Sequence, residues 1–243
     1  MCWHYTESLL NYIYETKGKV MKIQNTKDVH TNGVKLLVYS FAGAGKTSLI
    51  QTMPNPIILS AESGLLSLSG VELPYIEIKT IDDLRQAYTW LTKSDEAKQF
   101  DSVALDSLSE IAEVVLTDEK AKNKDGRAAY GEMQAQMIDI MRAFRDLNGK
   151  HVYMSAKCEK AQDETGRMLY APMMPGNKLA QNIPYLLDEV LALRVEKDTE
   201  GKPQRMLLCG PDGQYTAKDR SGKLDQWEAP NLTEIINKIV GSN

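Results

Sequence analysis

The segment Ser40–Ser48, SFAGAGKTS, constrains the fold more than any other stretch of the chain. It follows the continuous apolar run KLLVYS, which reads as a buried parallel strand. A short helix follows, ended by Met53-Pro54. A glycine-rich turn between strand and helix matches the phosphate-cradling pattern G-x-x-x-x-G-K-[ST], except that Ser40 stands where the pattern asks for glycine. The amides of Gly43 to Thr47 are expected to form a concave nest for phosphate oxygens. Lys46 is then the cation for the β- and γ-phosphates, and Thr47 a magnesium ligand. Ala42, Gly43, Ala44, Gly45, Lys46, Thr47 and Ser48 are the candidate contacts to a nucleoside triphosphate, ATP, with Mg²⁺.

The rest of the chain continues the alternation. PIILSAE, YIEIK, SVALD and HVYMS read as further strands. Thr80 caps a helix running through Trp90, with Asp82 and Asp83 in its first turn. Helices are expected at about 107–122 and about 130–148, and a last one at about 232–240. Residues 157–178 carry no clear period and read as a long loop or a hairpin. EVLALRVE and QRMLLCG read as paired strands joined at Glu200-Gly201-Lys202-Pro203. This predicts an α/β fold: a mainly parallel sheet with helices on both faces and a C-terminal antiparallel extension. The expected domain is 34–243, preceded by an extension over 1–33. In that extension Trp3, Leu9, Leu10 and Ile13 share one helical face, which suits either a loosely attached segment or an oligomerisation arm.

Composition excludes some classes. The net charge of -4 gives no global basic field toward nucleic acid, so any such contact must be local or arise from assembly. Three widely spaced cysteines, Cys2, Cys158 and Cys209, fit a reducing compartment rather than a disulfide framework. No apolar run has the length of a membrane span, and the N-terminus does not read as a secretory signal.

Two carboxylates complete the candidate site. Asp106 ends the apolar strand SVALD, the Walker B pattern, and is the second candidate metal residue beside Thr47. Ser107 follows it where many ATPases carry a glutamate, so the water-orienting carboxylate must come from elsewhere. Glu62, in ILSAESG at the end of the second strand, is the candidate, because active groups in open α/β sheets gather at strand C-termini.

With these residues in place the chain resembles the RecA superfamily of P-loop ATPases. SAES, with Glu62, is similar to the segment that carries the catalytic glutamate there. YSFAGAGKTS, ILSAESG and VALDSLSEI together resemble phage AAA-like nucleotide-binding proteins that include the Sak-four type of single-strand annealing protein. The resemblance implies a RecA-like core that hydrolyses ATP on single-stranded DNA in recombination or annealing. It also implies self-association into a ring or filament, a single-strand DNA-binding protein as a further partner, and residence in the cytoplasm, that of the host if phage-encoded. Lys218 and Arg220, in AKDRSG, resemble the Lys-x-Arg pair that reaches a neighbouring subunit's γ-phosphate; the same residues equally suit a solvated basic turn. Ser155 stands at the γ-phosphate sensor position, and Lys157 substitutes for the glutamine typical there. The two mobile DNA-binding loops of the family correspond to TDEKAKNKDGRAAYG, with Lys120, Lys122, Lys124 and Arg127, and KCEKAQDETGRMLYAPMMPGNK, with Lys157, Lys160, Arg167 and Lys178. Both stretches also contain acids and suit solvated loops. A nucleotide-switched partner protein with no DNA contact, of the replication or loader-accessory kind, is the alternative.

Overall fold

The computed structural model describes residues 32–62 and 64–241. The expected N-terminal extension, 1–33, lies outside that set apart from residues 32 and 33. Strand β1 (Lys35–Ser40) leads through the glycine-rich turn into α1 (Lys46–Leu49). Then come β2 (Pro56–Ser60), β3 (Tyr75–Glu77), α2 (Ile81–Lys93), β4 (Ser102–Asp106), α3 (Leu108–Lys122) and α4 (Gly126–Arg145). β5 (His151–Gln162), β6 (Met168–Pro172), α5 (Asn177–Leu186), β7 (Glu189–Lys197) and β8 (Pro203–Leu208) follow. The short strands β9 (Lys218–Asp219) and β10 (Trp227–Glu228) precede α6 (Leu232–Val240).

The strands form one sheet in the order β10-β8-β7-β1-β5-β4-β2-β3. β7, β1, β5, β4, β2 and β3 are mutually parallel, while β8, β9 and β10 join antiparallel at one side and β6 pairs antiparallel with the far end of β5. This is the α/β fold expected, with its antiparallel extension. β5 lies between the glycine-rich-loop strand β1 and the Asp106 strand β4, so whatever side chain β5 carries at its C-terminal end stands between the two.

The pleat sends alternate residues of β1 to opposite faces. Leu37 and Tyr39 pack with α2, α3, α4 and α5, whereas Leu36 and Val38 pack with Leu49, Ile50 and the α6 residues Leu232, Ile235, Ile236 and Ile239. In α4, Met133, Met137 and Met141 recur every four residues and are fully buried. α2 begins with the anticipated cap: Thr80 accepts from the Asp83 amide while the Asp83 carboxylate accepts from the Thr80 amide. Lys35 is buried at the start of β1 and donates to the carbonyls of Asn32 (3.0 Å), Leu147 (2.7 Å) and Lys150. Burial pushes its amine down to about 8.

Two local expectations need correction. The stretch 117–131, which the resemblance matches to a mobile loop although helices were expected to about 122 and from about 130, is helical apart from the break at 123–125. Lys120 and Lys122 complement the C-terminal end of α3, and Asp125 caps α4 by accepting from the Arg127 amide. In the second stretch the hairpin reading holds, since β5 runs on to pair with β6. The helix α5 behind it was not anticipated: Pro184 reads as a helix breaker, although Leu179, Ala180, Ile183 and Leu187 recur on one buried face.

Candidate functional site

The C-terminal ends of the parallel strands carry the candidate residues to one edge of the sheet, as doubly wound folds do. Gly43 (φ 77°) and Gly45 (φ 108°) hold the left-handed conformations that curl the loop after β1. The fully buried Tyr153, on β5, donates from its hydroxyl to the Lys46 carbonyl (2.9 Å) and so braces the start of α1 from beneath.

Thr47 Oγ1 donates to Asp106 Oδ2 at 2.8 Å, and Ser155 Oγ donates to Asp106 Oδ1. Asp106 is buried. Burial raises its pKa, and the two hydroxyls pull it back toward the ionised form. The Asp106–Ser107 peptide is cis. The Glu62 amide donates to the Asp106 carbonyl (3.3 Å), as does that of Ala61 (2.8 Å), so the Glu62 segment is fastened to the end of β4. Ser60 Oγ closes the turn by donating to the Glu62 carbonyl (2.9 Å).

Lys46 Nζ lies over the loop and donates to Ser40 O (3.1 Å), Ser40 Oγ (3.3 Å) and Phe41 O (3.5 Å). All three are neutral acceptors. Burial lowers the pKa of this amine, while the Glu62 and Asp106 carboxylates act in the opposite sense. Lys46, Thr47, Ser48, Glu62, Lys157 and Arg205 line one cleft of about 620 Å³, within the range of small-ligand pockets, ~300–1,000 Å³. Cys158 also faces it, but burial pushes its thiol up to about 11, so it is no nucleophile at neutral pH.

A magnesium triphosphate fits this donor set. Thr47 and Asp106 already present two oxygens to one point, and Mg²⁺ takes few protein oxygens and keeps its waters. Lys46 has neutral partners that a phosphate oxygen can replace without breaking an ion pair.

The sequence of the AAA domain family matches this chain over residues 32–221. The chain belongs to that family. AAA-type membership points to a nucleotide-binding ATPase, and the matched range spans the loop, Glu62, Asp106 and Ser155. No curated protein matches the chain. No helix among the described residues is long and apolar enough to cross a membrane.

Not every candidate of this AAA-domain chain reaches the cleft. Lys218 pairs with Val190, and Asp219 with Glu189, at the end of β7 that lies beside Leu36, the opposite end of β1 from the loop. Lys218 Nζ donates to the carbonyls of Pro184 (2.5 Å) and Leu187 (2.7 Å), capping α5. Arg220 pairs with Asp188 (2.6 Å). Neither reaches the nucleotide loop of its own chain. Of the candidate DNA residues, Lys122 is paired with Asp118 (2.5 Å) and Glu119 (3.0 Å), Arg167 with Asp163 (3.2 Å), and Lys157 with Glu110. Lys120 sits over the Tyr130 ring. Lys124 lies in the α3–α4 break, Arg127 opens α4, Lys160 is on exposed β5, and Lys178 is in the first turn of α5. Lys157 lines the nucleotide cleft, while Lys160 and Arg167 belong to the β5–β6 hairpin.

Arg205 and Tyr153 were missed. A tyrosine inside an apolar strand signals a hydroxyl that needs a buried partner, so Tyr153 was discoverable. Arg205 lies in a hairpin strand with no motif around it, and only the order β8-β7-β1 brings it to the loop.

Proposed function

We propose that the protein binds and hydrolyses Mg·ATP in the cleft beside Lys46, and that it does so as a self-assembling RecA-like ATPase working on single-stranded DNA in recombination or annealing of the Sak-four type. The observation that carries the first part is the joining of Thr47, Asp106 and Ser155 in one hydrogen-bonded chain, with Glu62 and Lys46 in the same cleft. When bound, Mg²⁺ neutralises charge on the phosphates. Within the chain, the loop amides and Lys46 hold the polyphosphate, Thr47 and Asp106 hold the metal, and Ser155 keeps Asp106 oriented. Glu62 orients a water and accepts its proton. Arg220 serves the cleft of a neighbouring subunit. The second part is supported by the resemblance of the motifs. Basic residues and aromatics on the β5–β6 hairpin, including Lys160 and Tyr170, suit a weak single-strand site that repetition along an assembly multiplies.

The pairing of Lys122, Arg167 and Lys157 with acids favours a second reading, an ATPase that switches a protein partner in replication or loading without touching DNA. One set of measurements separates them: magnesium-dependent ATP affinity and turnover, with and without single-stranded DNA, over a salt series, with Lys46→Ala as control. No magnesium-dependent affinity for ATP removes the nucleotide reading. ATP turnover with no DNA binding at low salt leaves the partner switch.

A further inference from the structure

We infer that Arg205 is a polyphosphate contact supplied by the chain to its own nucleotide loop. The inference rests on the ATP-binding reading above. β8 is two strands from β1, yet the side chain crosses β7 and donates from Nε to the Ala44 carbonyl at 2.8 Å. The approach is close: a Cβ placed on Gly45 would lie 3.3 Å from Arg205 Nε. Arg205 lines the same cleft as Lys46 and Thr47.

The state of the guanidinium points to an anion. Arg205 has no other hydrogen bond and no ion pair among the described residues, so both terminal nitrogens keep their donors. Other arginines of the antiparallel side are neutralised. Arg194 pairs with Asp212 and Glu196 and lies between Tyr215 and Trp227, and Arg220 pairs with Asp188. A guanidinium is always charged, and its planar fork matches two phosphate oxygens at once. Fixing Nε on the loop itself sets that fork beside the amides that cradle the phosphates. One hydrogen bond from an exposed side chain to a neutral carbonyl contributes little to folding, so the arrangement is better explained by a ligand than by stability.

The test uses the full chain and two probes, Mg·ATP and magnesium tripolyphosphate, which has no base or ribose. Arg205→Ala should weaken both by the same factor, at least tenfold (about 1.4 kcal/mol). The melting temperature of the ligand-free protein should stay unchanged, and Arg205→Lys should recover part of the affinity. Wild-type affinity in Arg205→Ala overturns the inference. So does a loss for ATP without one for tripolyphosphate, which would place the side chain on the base or ribose. A lowered melting temperature with full recovery by Arg205→Lys also overturns it, since the role would then be to hold the loop. If the wild type binds neither probe, the ATP-binding reading itself has failed.

Discussion

Replacing Glu189 with Gln should make the protein more stable at neutral and mildly alkaline pH. Glu189 opens β7 and is 1 % exposed. Its Oε1 receives the Ser221 amide at 3.4 Å, while Oε2 meets no hydrogen-bond donor among the described residues. Asp219 lies opposite it in the ladder and is already committed to Ser221 Oγ (2.6 Å) and the amides of Gly222 (3.0 Å) and Leu224 (2.9 Å). The pair is satisfied when Glu189 carries a proton and donates it to Asp219. Burial, and then the charge on Asp219, push the Glu189 carboxyl up from 4.5 to about 8.

The folded chain therefore holds a proton that the unfolded chain releases, and this contribution to stability falls as pH rises from about 4.5 to about 8, then levels off. At about 1.4 kcal/mol per pH unit the total loss is on the order of 3–5 kcal/mol. Gln keeps the donor and cannot ionise. In thermal melts from pH 5 to pH 8, the variant's melting temperature should gain on the wild type by roughly 5–10 °C, since about 1 kcal/mol moves a domain of this size ~2–4 °C. Taking the difference cancels other titrations, such as those of His151 and Lys35. Parallel pH profiles for the two proteins would refute the shared-proton account.

Glu62→Gln should leave Mg·ATP affinity near normal and abolish turnover, measured by phosphate release; unchanged hydrolysis removes Glu62 from the mechanism. Tyr153→Phe should cost about 1 kcal/mol in denaturant unfolding, because the Lys46 carbonyl loses its donor, and should weaken ATP binding through a looser α1. Met137→Ala, at a fully buried position of α4, should cost about 2–5 kcal/mol without altering ATP affinity beyond its effect on the folded fraction.

The parallel core was legible because each buried strand is a short apolar run and several helices carry a side-chain cap at their start, as Thr80 does for α2 and Asn231 for α6. Asp106 and Glu62 were readable for a related reason: both are polar residues at the end of such a run. What was not readable depends on lateral order. Nothing in the sequence says that β5 separates β1 from β4, yet that insertion sets Ser155 on Asp106 and Tyr153 under Lys46. The same holds for Arg205, whose strand gains meaning only once β7 pairs with β1 on one side and β8 on the other. The resemblance pulled in the opposite direction: it made 117–131 a mobile DNA-binding loop, although several of its basic residues are pairing and capping groups of two helices.

Lateral order also fixes what Arg220 can serve. Glu189, beside it, pairs with Leu36, and Ser40 lies four residues further up β1, about 13 Å at the ordinary strand rise. The Lys218–Arg220 segment and the cleft are thus at opposite ends of the sheet. Contact between them therefore needs a second subunit, either in an antiparallel two-fold pair, where each end meets the other subunit's opposite end, or in a head-to-tail contact that closes as a ring or continues as a filament. Any effect of Arg220 on turnover must then depend on protein concentration, and Arg220→Ala subunits mixed with Lys46→Ala subunits should regain activity. Arg205 acts within one chain, so the loss in Arg205→Ala should be the same at every concentration and should not be rescued by mixing. Were the Arg220→Ala defect equally independent of concentration, the residue would be holding Asp188 and the end of α5 in its own subunit and no shared site would be needed.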